Sequence, residues 1–464
     1  MNYDYDFLII GGGSAGYAAA RTAAAAGLKT CVVDGAPELG GLCILRGCMP
    51  SKTLLQSASR FASMRRAGEF GLRASGLGFD GGEIIARKRR LISGFAEYRA
   101  GQLQDGRFDL VRGIARFVDA HTVEARFPDG TERRMTARTF LLATGSKVSP
   151  VPIPSLNEAG FWTTDDVLDS EEIPVSVIIL GGGATAVEFA TYYVGLGRDV
   201  TIIQRSAQLL RGTDEDIAEA LVEGLRQRGV KVYTGTKLLS AEATPAGKRI
   251  TFEHASGTLS VEAAQVLHAL GREPNVAGLN LEAAGIAEPG RPQVNLAQQT
   301  SQPHIFAAGD IVGPYEIVHI AIQQGELAAR NAARVIAGGG NLEESDYRLR
   351  LYGIFSDPEV AVVGASECEL CEAGIAFRSA KYPFNDHGKS LCMGETDGFV
   401  KLIASVETGE ILGGSVVGPH ATELIHEIAV AMHFRSTAAQ LAAVPHYHPT
   451  LSEIWTYPAE ELAG

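Results

Sequence analysis

Phe7-Leu8-Ile9-Ile10-Gly11-Gly12-Gly13-Ser14-Ala15-Gly16 opens the chain almost at once, and its reading decides the fold. The four apolar residues predict a short buried strand. Gly11, Gly13 and Gly16 stand at G-x-G-x-x-G spacing. An Ala-rich run then reads as a helix through Ala26, closed by Gly27, and Thr30–Val33 reads as the next strand, ending at Asp34. In such a unit the first glycine allows the tight turn, the second lets a pyrophosphate approach the backbone, and the third lets helix and strand pack closely. The helix N-terminus at Ser14 turns N–H groups and a positive dipole end toward phosphates. Asp34 is placed to accept from both ribose hydroxyls of a dinucleotide.

The pattern returns at residues 177–205. Val177–Leu180 predicts a strand, Gly181-Gly182-Gly183-Ala184-Thr185-Ala186 the turn, and a helix runs to about Leu196 before a strand at Asp199–Ile203. Gly181 and Gly183 repeat the first two glycines, and Ala186 stands in the third position. This strand ends in Gln204-Arg205 rather than an acid, with Arg211 close behind. A 2′-phosphate repels a carboxylate and is matched by guanidinium groups, so the second site predicts NADPH over NADH. Two dinucleotide folds in one chain suggest a flavin set between a nicotinamide and a third redox group.

The chain has 464 residues, room for three or four domains. Its formal charge is −13, and the longest basic run is Arg87-Lys88-Arg89-Arg90. Nucleic acid is therefore not an expected partner, because phosphate neutralisation needs a basic face. No apolar stretch reaches ~18 residues, so no membrane span is predicted. The first strand carries no basic flank or cleavage site and is not read as a signal peptide. Six cysteines in so long a chain are no secreted disulfide framework. A cytoplasmic setting follows as the expectation.

Two of those cysteines lie just beyond Asp34, in Gly40-Gly41-Leu42-Cys43-Ile44-Leu45-Arg46-Gly47-Cys48-Met49-Pro50-Ser51-Lys52. Cys43 and Cys48, with four residues between them, can face each other across a helical turn. In a reducing compartment such a pair is usually a transient, catalytic disulfide. A zinc site is the rival reading. It needs further ligands, and no His or Cys follows within 70 residues. No metal is expected.

At these residues the chain resembles the class I pyridine-nucleotide disulfide oxidoreductases, whose members include dihydrolipoamide dehydrogenase, glutathione reductase and mercuric reductase. The resemblance covers nearly the whole chain. Ala143-Thr144-Gly145-Ser146 resembles the segment closing the first part of the FAD domain, and Gly271-Arg272-Glu273-Pro274-Asn275 the turn after the nucleotide domain. Phe306-Ala307-Ala308-Gly309-Asp310 resembles the second FAD motif, and His448-Pro449-Thr450-Leu451-Ser452-Glu453 the family's H-P-T-x-x-E. The implied fold is α/β, with two Rossmann-like domains and a C-terminal α+β dimerisation domain. The segments would be 1–148 (FAD, first part), 149–270 (NAD(P)), 271–344 (central, FAD second part) and 345–464 (interface).

The resemblance also implies roles. FAD would lie at Gly11, Gly13, Ser14, Gly16, Asp34, Gly41, Lys52, Ala115, Thr144, Gly145, Asp310 and His319. The nicotinamide nucleotide would lie at Gly181, Gly183, Ala186, Arg205, Arg211 and Gly271. Cys48 would be the thiolate against the flavin and Cys43 the interchange thiol. His448, oriented by Glu453, would be the acid/base, with Lys52 and Glu188 paired near the flavin. A homodimer with shared active sites follows, with Ala421–Met432 as a long interface helix. The substrate would be a small-molecule or lipoyl disulfide, with dihydrolipoamide dehydrogenase the nearest in motifs. A glutathione-reductase-like enzyme, or a metal-ion or quinone reductase, is the alternative.

The pattern breaks in places. Leu42 and Leu45-Arg46 replace the usual residues between and before the cysteines, and Arg46 either depresses a thiol pKa or attracts an anionic substrate, or simply points to solvent. Ala184 predicts an open nicotinamide pocket. Glu326 stands where a glutathione-binding arginine is expected, and mercuric reductase's C-terminal cysteine pair is missing. Cys368-Glu369-Leu370-Cys371 is expected in a short helix without function, and Cys31 in a buried strand.

Overall fold

The computed structural model describes residues 2–287 and 290–464 and divides the chain into two compact units. The first takes Met1–Thr53, Ile85–Ser149 and Arg272–Asp346; the second takes Leu54–Ile84, Pro150–Gly271 and Tyr347–Gly464.

The first unit is built on a sheet ordered Asp109–Val111, Thr30–Val33, Tyr5–Ile10, Glu132–Leu142, with Ile305–Ala307 also on the last of these. These strands run parallel, Ile9 pairing with Val32 on one side and Leu141 on the other. A parallel sheet is covered on both faces, so its strands are apolar throughout. Phe7 and Ile9 enter one core with Ala19, Ala20, Ala23 and Phe306. Leu8 and Ile10 enter the other, with Phe117, Phe140 and Ile305. The N-terminal half of Glu132–Leu142 turns into an antiparallel meander with Thr122–Arg126 and Ile114–Asp119.

The helix after the glycine turn, Ser14–Ala25, lies against the helix Val318–Ile336. The crossing is close: a Cβ on Gly325 would stand 2.2 Å from the Ala15 carbonyl oxygen. Alanine and glycine on these faces bring the N-termini of both helices to the carboxyl ends of the same strands.

The second unit repeats the scheme with a four-stranded parallel sheet, ordered Lys231–Tyr233, Asp199–Ile203, Ser176–Leu180, Gln265–His268. A three-stranded antiparallel sheet, Lys237–Thr244, Gly247–His254 and Gly257–Ala263, joins it around Ile178, Ile250 and Phe252. The same unit holds a five-stranded antiparallel sheet, ordered Leu351–Ile354, Glu359–Gly364, Ile411–Gly418, Phe399–Ser405, Phe377–Pro383. The helix Ala421–His433 packs on it through Ile425, Ile428 and Met432, over a core that includes Phe384 and Trp455. No described helix is long and apolar enough to cross a membrane.

Candidate active site

The carboxyl ends of the first unit's parallel strands open into a cleft of about 710 Å³. Gly11, Gly13, Ser14 and Asp34 line it, with Gly41, Ala115, Thr144, Gly145 and Asp310. Gly11 has φ +106°, and a Cβ there would meet the Ala143 carbonyl oxygen at 2.3 Å, so only glycine fits the turn. Gly16 lies inside the helix rather than on the cleft, and its Cβ would fall 1.8 Å from the Gly11 carbonyl oxygen. At Gly13 a Cβ would meet nothing of the protein closer than Gly41 Cα at 3.8 Å. That glycine leaves its space to a ligand running past the backbone.

Asp34 is almost buried, and its carboxylate accepts from Gly12 N–H at 2.7 Å and Ala36 N–H at 2.9 Å. Those bonds hold it at the end of its strand, facing the cleft. On the other side Ser146 donates to Asp310 Oδ2 at 2.7 Å, and Arg272 donates to Ser146 Oγ at 2.8 Å. Burial, reinforced by the charge of Asp310, pushes the nearby Glu316 carboxyl up. The glycine cradle, the two fixed carboxylates and the helix N-termini fit a flavin dinucleotide. Of the other residues expected here, Lys52 sits in the helix Cys48–Arg65 and His319 in the first turn of Val318–Ile336; neither lines the cleft.

Cys43, Arg46 and Cys48 also line the cleft. The cysteines do not share one helical turn. Residues five apart in a continuous helix would point about 140° away from each other. Instead Gly41–Leu45 ends at Arg46, and a second helix begins at Cys48. Gly47 makes the junction, where a Cβ would stand 3.0 Å from the Leu42 carbonyl oxygen. The break brings the two thiols within hydrogen-bonding reach. That bond to Cys48, then burial, push the Cys43 thiol far up, while Lys52 works in the opposite sense. Lys52 is a cation whose field reaches this thiol, and Arg46 is exposed at the end of its short helix.

The second unit carries the remaining candidates. Gly181 has φ +120°, its Cβ would meet Ala269 oxygen at 2.1 Å, and Gly183 has open space around its Cβ position. Ala186 is fully buried where the first turn has Gly16, and Gly271 follows the strand Gln265–His268. Ala184 is exposed. Arg205 and Arg211 are exposed too, and among the described residues neither guanidinium is paired with a carboxylate. Glu188 is buried in the helix Ala184–Gly195 and accepts from Phe355 N–H at 3.1 Å. His448 Nδ1 lies 3.0 Å from Glu453 Oε2, with the imidazole 79% exposed. His446 makes a separate pair with Glu427 at 2.6 Å. Sequence reading missed His387, whose Nε2 lies 3.4 Å from the other Glu453 oxygen. No local motif marks it.

A family model described as "Pyridine nucleotide-disulphide oxidoreductase" matches residues 5–325, and the dimerisation domain of the same family matches 352–459. The chain belongs to this family. It is an FAD-dependent oxidoreductase working between a nicotinamide nucleotide and a disulfide. Dihydrolipoyl dehydrogenase of Bacillus subtilis (strain 168) is 34% identical over 464 aligned residues, covering 98% of this chain and 97% of the relative. That of Thermus scotoductus is 35% identical, covering 99% and 97%. Among solved structures, LpdA of Mycobacterium tuberculosis superposes with a TM-score of 0.87 at 30% identity, covering 98% of this oxidoreductase and 99% of LpdA. A Cu(II) complex of the HOCl-induced flavoprotein disulfide reductase RclA from Escherichia coli follows, with a TM-score of 0.85 at 26% identity, covering 99% and 100%.

Proposed function

We propose that this oxidoreductase exchanges electrons between NADPH and a lipoyl disulfide through Cys43 and Cys48, with His448 and Glu453 as its acid/base pair. The observation that carries the reading is the Glu453–His448 contact at 3.0 Å, which leaves the second imidazole nitrogen facing outward on an exposed side chain. A nitrogen so placed can hold a proton for a thiol. Relatives that span the whole chain and bear the name dihydrolipoyl dehydrogenase support the lipoyl substrate. Unpaired Arg205 and Arg211 support the 2′-phosphate of NADPH. The segments 1–148 and 271–344 would hold the flavin, 149–270 the nicotinamide nucleotide, and 345–464 the dimer contacts. Few cysteines in so long a chain, with the one proposed pair a transient catalytic one, suit a reducing compartment such as the cytoplasm.

FAD in the cleft would take a hydride from the nicotinamide and supply two electrons to the cysteine pair. The chain's own groups then do the rest. Cys43, once deprotonated, attacks one sulfur of the substrate disulfide; a mixed disulfide forms, and the departing sulfur takes the proton held on His448. Cys48, as a thiolate, then attacks Cys43, the internal disulfide closes, and the second substrate sulfur leaves as a thiolate that takes its proton from water. Lys52 holds negative charge on the pair, and Glu453 fixes the imidazole.

The test is NADPH and NADH oxidation against lipoamide, glutathione disulfide, cystine and a lipoylated domain. Turnover confined to the lipoyl substrates and lost in Cys48→Ser and His448→Gln supports the reading; turnover surviving His448→Gln sinks it. Arg205→Ala with Arg211→Ala should raise KM for NADPH about tenfold and leave KM for NADH unchanged. The likeness to RclA in its Cu(II) complex favours a second reading, metal-ion reduction by the same cysteines. Cu(II) reduction untouched by His448→Gln, with no disulfide turned over, would select it.

A further inference from the structure

We infer that His387 is a positioning residue for the acid/base pair, completing a chain Ser390–His387–Glu453–His448 that runs from the core to the surface. The inference rests on the role given above to His448 and Glu453.

His387 stands between the short turn Phe384–Asp386 and the helix Gly388–Met393. Its side chain is 0% exposed, against 12% for Glu453 and 79% for His448. The two oxygens of Glu453 are divided between the two imidazoles. Oε2 meets His448 Nδ1 at 3.0 Å, and Oε1 faces His387 Nε2 at 3.4 Å. His387 Nε2 is buried and makes no well-aligned hydrogen bond among the described residues, and the Glu453 carboxylate at 3.4 Å is the acceptor within its reach. On the far side His387 Nδ1 lies 2.9 Å from Ser390 Oγ, itself fully buried.

This arrangement sets the tautomer. A neutral imidazole has one donor and one acceptor nitrogen, a carboxylate only accepts, and a hydroxyl does either. The proton therefore sits on Nε2, toward Glu453, and Ser390 donates to Nδ1. Burial keeps the ring below the ordinary histidine range, so it stays neutral, although the charge of Glu453 pulls the other way. The remaining groups facing it are His448 across the carboxylate, Tyr457 at 6.4 Å between ring centroids, and Asp386 beside it, which accepts from Tyr382 Oη at 3.0 Å.

A glutamate has three side-chain torsions, and one hydrogen bond to an exposed histidine does not fix them. A buried N–H on the second oxygen fixes the plane of the carboxylate, and with it the direction of the His448 ring. Without it, Glu453 would keep a desolvated oxygen or turn away from His448.

The experiment uses the FAD-loaded protein and three variants beside His448→Gln: His387→Leu, His387→Gln and Ser390→Ala. Lipoamide reduction is measured from pH 5.5 to 9, with quinone reduction as an internal control that bypasses the thiol chemistry. For His387→Leu the inference expects kcat to fall about tenfold at unchanged KM, with the acid limb of the pH profile displaced and quinone reduction unaltered. His387→Gln restores a donor toward Glu453 and should recover most of the loss. Ser390→Ala, a milder change if His387→Leu fails to fold, should show the same displacement with a smaller fall. A pH profile unmoved in both His387→Leu and Ser390→Ala, while His448→Gln is inactive, overturns the inference alone. Full activity of His448→Gln would overturn the reading beneath it.

Discussion

At the scale of single residues, the second unit contains a buried imidazole that is poorly served by hydrogen bonds. His268 ends the strand Gln265–His268, is 2% exposed, and among the described residues neither ring nitrogen has a well-aligned hydrogen bond, the backbone at Pro150 being the polar group near it. It lies against Phe161, ring centroids 5.4 Å apart, where Ile178, Phe252 and Val266 form the core. A buried polar group without a partner costs about 1–3 kcal/mol. His268→Leu, close in volume, should therefore stabilise the fold by about 1 kcal/mol and raise its melting temperature by about 2 °C. The effect should grow on acidification. Burial holds His268 below the ordinary value, as it does His304 and His387. The unfolded chain then binds more protons once the pH drops under about 6.5. The stability these neutral rings contribute is complete above that pH and is lost as pH falls through their folded values. Melting curves at pH 7.5 and 5.5 should show the His268→Leu advantage widening at the lower pH; an equal advantage at both would contradict a neutral buried ring.

Among elements, the strand Phe399–Ser405 is tied to the turn before the helix Glu215–Gln227 by a lysine with no exposure. Lys401 Nζ lies 2.7 Å from Asp214, 2.9 Å from Asp216 and 3.2 Å from Glu367. Burial alone would push Lys401 down, but Asp214 and Asp216 outweigh it and hold it up. Lys401→Met would leave three carboxylates within 4.8 Å of one another. The loss should be about 3–5 kcal/mol, and millimolar Ca²⁺ should recover part of it in the variant while leaving wild type unchanged. Calcium-independent melting of the variant would show that the acids move apart instead. Such ties cannot be read from sequence, because Lys401 and Asp214 meet only through the fold. What was legible is local. Each glycine turn sits with its strand and helix in one short segment, and the spacing of His448 and Glu453 announces their contact. The cysteine pair was legible as chemistry but not as geometry, since Gly47 splits the expected helix in two. His387 was invisible for the reason Lys401 was: its partner Glu453 lies far along the chain.

For the whole molecule, the decisive feature is that the His448 imidazole is left exposed. The dimerisation match spans residues 352–459 and so contains both His448 and Glu453. The same matched segment exposes large apolar side chains. Val430 on the helix Ala421–His433 and Phe434 at its end are 58% and 74% exposed, and Tyr447, next to His448, is 82% exposed. Large exposed apolar side chains gathered near functional residues mark a surface that another protein covers. A second copy is the cover that the dimerisation domain supplies, and the proposed acid/base role of His448 needs a thiol within reach. The flavin cleft, by contrast, is lined by residues of the first unit alone. Disulfide turnover should therefore depend on assembly and quinone reduction should not. Phe434→Asp places a charge in the covered surface, and the desolvation cost should shift the protein to monomer at micromolar concentration. Lipoamide reduction should then fall at least a hundredfold and return with rising protein concentration, while quinone reduction per flavin stays constant. A monomer by light scattering that still reduces lipoamide at the wild-type rate would mean that each chain brings its own histidine to its own cysteines.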